Sequence, residues 1–438
     1  MKSLLRRYTI PSAKLLPNQE AFDFLPSCSQ ARFDLTSVEA IAKAPEKVLQ
    51  QIRNTEVDYK RFKGVSTGSL AVLQSCSNFL RSNNINCETR NISLSDGVLS
   101  GISKVYETLR IGGSDKIILP TPTFGYYFQQ LREKGIDFET VATTKEESFL
   151  PNPDILETAV KKGNSKVLLL CYPNNPTGKL MNQETAEAIS EIAKRHDLFV
   201  ISDEAFLGNV IAPERNFSIA RVPGMLDRSI TFFSISKMMG LPSGAASNFC
   251  FGNGDLIRNF SKVGGYYNEQ VTREALEDSQ ENREFLVESK RKYLANIDLI
   301  KNKISQLNKK FGEIFGEERN ENEAYVKPLV SNPETGGVYL IDFSGLRDKV
   351  YNGKKFDTGL DIAKWLLKEA SLGSVPGECF MFSPKDMLVR ITTSESSETL
   401  DKAFDSVIDA AVKITNQPKS AIVSPTADGL SANKEKTI

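Results

Sequence analysis

Four side chains carry reactive groups in settings that a plain surface or core role explains poorly. Lys237 lies in Ser234-Ile235-Ser236-Lys237-Met238-Met239-Gly240-Leu241-Pro242, directly after the apolar run Ile230 to Phe233. A lysine at a strand end suits a covalent imine better than a solvated charge, because burial depresses its pKa and frees the amine. Asp203, in Ser202-Asp203-Glu204-Ala205-Phe206, reads as a site carboxylate or as a helix N-cap. Asn175, in Asn174-Asn175-Pro176-Thr177-Gly178, brings an amide to a turn in which Asn174 reads as the turn residue. Arg390 sits between apolar residues in Leu388-Val389-Arg390-Ile391-Thr392, a costly place unless it is paired. Its guanidinium fork matches a carboxylate through two parallel hydrogen bonds, and a salt bridge is the structural alternative.

The elements around these residues alternate between strand and helix patterns. Residues 92–95 read as a strand and 98–109 as a helix, with Asp96-Gly97-Val98-Leu99 between them. Backbone N–H groups and the helix dipole at such a junction favour an anion. The run 116–119 is a short strand ended by Pro120-Thr121-Pro122, and 138–141 reads as an edge strand. Lys166 to Tyr172 is continuously apolar, the pattern of a strand buried on both faces. A helix over 183–195 follows, capped by Asn182, with Ala186, Ile189, Ile192 and Ala193 on one face. Strands over 198–201, 229–234 and 246–251 complete the alternation. The pattern predicts an α/β fold with a mostly parallel central sheet covered by helices. Ligands of such sheets gather at the carboxyl ends of the strands, where Asn175, Asp203 and Lys237 all fall.

A long helix is expected over 283–311. A second, smaller unit begins near Gly336, with a helix near 361–369, a turn at Val375-Pro376-Gly377, a strand over 388–392 and a helix near 398–414. The boundaries read as a large domain over 56–320, a smaller α+β domain from 1–55 and 321–415, and a disordered tail over 416–438.

The composition excludes several classes of function. The chain has 438 residues, 40% hydrophobic and 25% charged, with 55 Lys+Arg against 55 Asp+Glu. No net field draws nucleic acid or an anionic membrane. No run approaches the ~20 apolar residues of a membrane span. The six cysteines form no Cys-x-x-Cys pair, and Cys171 and Cys250 fall in apolar runs as buried free thiols, so a reducing compartment is expected. The single histidine, His196, ends a helix and cannot build a Cys/His metal cluster. No phosphate-binding Gly-x-x-x-x-Gly-Lys-Ser/Thr exists, and Gly252-Asn253-Gly254 lacks the third glycine of a dinucleotide fingerprint.

The segments around Asn175, Asp203 and Lys237, in that order and each beside an apolar run, resemble the class I/II aminotransferases. These are pyridoxal 5'-phosphate (PLP) enzymes of fold type I, and the resemblance covers residues 30–415. It implies that Lys237 forms the imine with the cofactor aldehyde and, once released, moves the α-proton. Asp203 would face the pyridine nitrogen and keep it protonated. Asn175 would donate to the ring phenolate oxygen, and Phe124 would stack on the ring. The phosphate would be held by Gly97, Val98 and Leu99 with the hydroxyls of Ser234 and Ser236. Tyr59 resembles the tyrosine that reaches the phosphate of a neighbouring subunit, which implies a homodimer with shared sites. Arg390 would grip the substrate α-carboxylate.

Four positions depart from the family pattern. Ala245 stands where a second phosphate-binding arginine is usual, and Phe206 where a tyrosine hydroxyl reaches the phenolate oxygen. Val38-Glu39-Ala40 replaces a Gly-x-Pro, and Ser243 replaces a glycine. The expected activity is transfer of an amino group between an amino acid and a 2-oxo acid, in cytoplasmic, biosynthetic amino-acid metabolism. Alternatives are another PLP reaction on an amino acid (lyase, decarboxylase or oxidase), or a homologue that binds without turnover. No metal, nucleic-acid or membrane partner is expected.

Overall fold

The computed structural model describes residues 18–38, 41–54, 67–112, 114–241, 245–260, 268–321 and 323–416. Tyr59, Ser243, Glu39, Ala40 and the tail from 417 onward lie outside these residues.

Seven strands form the central sheet: β1 (Ile92–Ser95), β2 (Lys116–Thr121), β3 (Asp137–Ala142), β4 (Ser165–Cys171), β5 (Phe199–Asp203), β6 (Ser229–Phe233) and β7 (Asn248–Gly252). Their order is β1-β7-β6-β5-β4-β2-β3, and only β7 runs antiparallel to its neighbours. The continuous apolar run of β4 is explained by burial on both faces. Val167, Leu169 and Cys171 join one apolar cluster, while Leu168 and Leu170 join another. Truncating one such leucine to alanine costs about 2–5 kcal/mol.

Helix 183–195 forms as its pattern predicts, over Gln183–Arg195, and the Asn182 side chain accepts from Thr185 N. His196 caps its C-terminus and its Nε2 lies 2.9 Å from Glu157 Oε1. The strand at 116 differs from expectation: Pro120 and Thr121 lie inside β2. Pairing with β4 stops at Ile118, so Pro120 pairs with β3 alone at Val141 and its missing N–H breaks no ladder toward β4. The edge strand near 138 forms as β3.

The second core lies under a four-stranded antiparallel sheet built from Lys327–Pro328, Tyr339–Asp342, Val375–Pro376 and Leu388–Ile391. Val375-Pro376 is therefore a short strand and not only a turn. Helices Gly359–Ala370 and Ser397–Ala410 pack on this sheet around Trp365, which is fully buried. The long helix runs over Gln280–Phe315 and contributes Tyr293, Ile297, Ile300, Ile304, Leu307 and Phe311 to the same core. All six cysteines are buried and unpaired. No helix among the described residues is long and apolar enough to cross a membrane.

Helix α1 (Val98–Thr108) aims its N-terminus at the carboxyl end of the sheet, and one glycine sets how closely it approaches. A Cβ on Gly101 would fall 2.3 Å from Phe232 Cε1 and 2.8 Å from Ser95 Oγ. The expected outcome for Gly101→Ala is a loss of about 1–3 kcal/mol. A lower urea midpoint at unchanged m-value would register it; an unchanged midpoint would mean that α1 does not depend on this approach.

Candidate active site

Lys237 is placed by a short local programme. After β6, the Ser234 hydroxyl accepts from Lys237 N at 3.2 Å and starts the helix Ile235–Met239. Gly240 ends it at φ 60°, in the left-handed region that favours glycine. The lysine is half-buried, and its Nζ donates to the Val38 carbonyl at 2.6 Å.

Asp203 ends β5, 6% exposed. Tyr127 Oη donates to its Oδ2 at 2.5 Å, and Ala205 N donates to its Oδ1 at 2.9 Å. Burial holds this carboxyl above the usual range, against the pull of those two hydrogen bonds. Tyr127 was not singled out in the sequence. The available signal was its place three residues after Phe124, one helical turn along. The two rings meet edge to face, with centroids 5.6 Å apart.

The loop after β4 separates the two asparagines. Asn174 donates to the carbonyls of Pro122 and Cys171 and accepts from Thr177 N and Oγ1, so it builds the turn. Asn175 is 5% exposed, and its Oδ1 has no hydrogen-bond partner. Ser236 Oγ is likewise buried without a partner.

Arg390 is 4% exposed and lies over the Phe380 ring at 5.4 Å. Its Nη2 donates to the Thr36 carbonyl, while Nε has no partner. Among the described residues no carboxylate stands within ion-pair distance, so the salt-bridge alternative is not realised. Burial pushes the guanidinium down to about 10, against the weaker pull of Cys379, Tyr126 and Asp34. Thr36 and Val38 thus tie Arg390 and Lys237 to one N-terminal stretch.

Phe206 is buried in a small cluster with Val38 and Val338. Its ring faces apolar neighbours, where a tyrosine would have carried its hydroxyl. Ala245 packs at the edge of an apolar cluster with Phe233, Met238 and Phe249. At the start of α1, Gly97 is the N-cap residue and no side chain caps the helix, which leaves the first N–H groups to other acceptors. Phe124 is half-buried beside Tyr126 and Tyr127.

These features fit PLP. Uncapped N–H groups with the free Ser236 hydroxyl suit a phosphate, and the buried Asp203 carboxyl suits a cationic ring nitrogen.

Comparison with known proteins agrees. Residues 31–407 match the family described as aminotransferase class I and II. An aspartate aminotransferase of Musicola paradisiaca is 26% identical over 86% of this chain and 88% of its own length. A bifunctional aspartate and glutamate/aspartate-prephenate aminotransferase of Petunia hybrida is 27% identical over 68% of this chain, a match spanning 60% of that relative. Among solved structures, the aspartate aminotransferase of Thermus thermophilus with maleate superposes with a TM-score of 0.72 over 94% of this chain and 99% of its own, at 22% identity. With this fold, these strand-end residues and a family match over most of its length, the chain belongs to the class I and II aminotransferases, PLP-dependent enzymes of fold type I that exchange an amino group between an amino acid and a 2-oxo acid.

Proposed function

We propose that Lys237, Asp203, Asn175 and Arg390 form the working site of this aminotransferase, with an α-amino acid bound through its carboxylate to Arg390. The observation that carries the proposal is Arg390 itself: a guanidinium 4% exposed, without a carboxylate partner among the described residues and with Nε unsatisfied. A buried charge in that state favours an anionic ligand strongly.

PLP, when bound, supplies the electron-withdrawing ring that makes the α-carbon acidic. The chain's part is to hold and to move protons. Asp203 offers a buried negative charge to the ring nitrogen, with Tyr127 fixing the carboxylate's orientation. Asn175 offers its side chain to the phenolate oxygen. The N–H groups of Gly97, Val98 and Leu99, with Ser234 and Ser236, take the phosphate, and Phe124 lies against the ring. Lys237 anchors the cofactor and then carries the α-proton, which requires its Nζ to leave the Val38 carbonyl. Phe206, Val38 and Val338 form an apolar cluster whose Val38 carbonyl meets the lysine.

The same proposal extends to organisation. The division into a large domain over 56–320 and a smaller one from 1–55 and 321–415 goes with it, except that the later half of the helix Gln280–Phe315 packs into the smaller core; a homodimer in which Tyr59 reaches the partner's phosphate goes with it too. A cytoplasmic location is supported by six buried, unpaired thiols.

Three measurements test this reading. Borohydride treatment of the PLP-loaded protein, followed by peptide mapping, should tag Lys237; a tag at another lysine would remove it from the role. Arg390→Met should lower kcat/KM by about ten- to a hundredfold, the value of one charged hydrogen bond of ~1.5–3 kcal/mol. Its denaturation midpoint should not fall, because an uncompensated buried charge has gone; unchanged kcat/KM would overturn the assignment. Finally, amino-acid substrate given alone should release one 2-oxo acid per site and then stop. Continued turnover without an acceptor would point to a lyase, decarboxylase or oxidase on the same fold.

A further inference from the structure

Glu204 follows Asp203 but faces the other way. Strand alternation puts Asp203 on the side of Tyr127 and Cys171, whereas Glu204 shares the face of Ser202. There it forms part of the wall of a cavity of about 330 Å³, enclosed by the turn Asn83-Asn84, the loop Val210–Ser218 and the long helix. This volume lies at the small end of ligand sites, about 300–1,000 Å³. Glu204 is 1% exposed, and its Oε1 accepts from Ser202 Oγ at 3.2 Å. Its Oε2 meets no donor in good hydrogen-bond geometry, although the Ser218 hydroxyl lies near the carboxyl. Burial pushes this carboxyl up to about 7, held down in part by the hydroxyls of Ser218 and Ser202. Nothing proposed for the working site uses it.

Three cationic residues share the otherwise mostly neutral wall. Arg221, half-buried over the Phe217 ring at 4.2 Å, and the exposed Arg215 both line the cavity. Among the described residues neither has a carboxylate within ion-pair distance. Lys290 lies beside them, its Nζ donating to the Ala212 carbonyl at 3.4 Å, and Glu214 is the one other acidic residue of the wall. No cation reaches ion-pair distance of Glu204 either. A plain cation would meet three like charges there. A plain anion would meet Glu204 and leave Oε2 unsatisfied. A small molecule with an ammonium at one end and a carboxylate at the other satisfies both walls, and its ammonium would favour the ionised form of Glu204.

We propose that this cavity is a second binding site, taking a free amino acid with its ammonium on Glu204 and its carboxylate on Arg221 and Arg215. The site is separate from the Lys237 site and does not rest on the roles assigned there.

The test uses PLP-loaded protein reduced with borohydride, which closes the first site, and calorimetric titration with each protein amino acid in turn. At least one should bind once per chain. Its affinity should fall by about tenfold or more in Glu204→Gln and in Arg221→Met, and stay unchanged in Arg390→Met. Glu204→Gln keeps the shape of the side chain and Arg221→Met alters a half-buried wall residue, so a folding defect in one leaves the other to decide. Absence of binding for every amino acid overturns the proposal. So does full affinity in either cavity variant, or a loss confined to Arg390→Met, which would trace the binding to the first site.

Discussion

Arg390 carries its charge in a place from which water has been removed and in which no carboxylate replaces it. Its only described hydrogen bond goes to the backbone carbonyl of Thr36, and one of its nitrogens has none. Such a group is expensive for the fold, since desolvation of a charge costs several kcal/mol even after relaxation. Asp203 presents the same expense with the opposite sign, eased by one hydroxyl and one N–H. The rest of the architecture serves these two charges. The parallel sheet delivers Asp203 at the end of its central strand β5, and the antiparallel sheet holds Arg390 between Leu340 and Val375. A well-filled core on each side supplies the stability that the site consumes.

What was legible in the sequence was local. Ser234, Lys237 and Gly240 cap, occupy and end a five-residue helix, and all three lie within seven residues. Asn182 caps its helix for the same reason. The order of strand-end residues, and hence the fold class, could be read from apolar runs because each run is itself a buried strand. Asn174 could be separated from Asn175 because the Asn-x-x-Thr turn that Asn174 builds is also local.

What was not legible depends on distance along the chain. Tyr127 and Asp203 are 76 residues apart, Lys237 and Val38 199, and Arg390 and Thr36 354. No periodicity links such pairs, and two of the three use a backbone carbonyl that every residue possesses. Pro120 was read as a strand stop because proline breaks a ladder, yet the ladder toward β4 had already ended at Ile118. Glu204 is set apart from Asp203 by nothing in the segment Ser202 to Phe206. Its isolation from every cation becomes visible only when the loop Val210–Ser218 and the long helix close over it.

The stretch Phe33 to Val38 joins these observations. Its first two residues pair with Leu372 and Gly373, and Thr392 N donates to the Leu35 carbonyl at 2.9 Å. Beyond these ties, the carbonyls of Thr36 and Val38 hold the guanidinium of a sheet residue and the amine of a helix residue. On the proposed roles, a ligand carboxylate at Arg390 would compete with Thr36, and a carbonyl group at Lys237 with Val38. Each exchange trades one hydrogen bond to a charged group for another, so its net value is about 1.5–3 kcal/mol and not the full attraction between bare charges. Val38 also fills the space over Phe206 and against Gly337, where an added Cβ would come within 2.8 Å of its Cγ1. The residue that stands where the family pattern has glycine therefore packs its side chain on Phe206, while its own carbonyl accepts from the lysine amine.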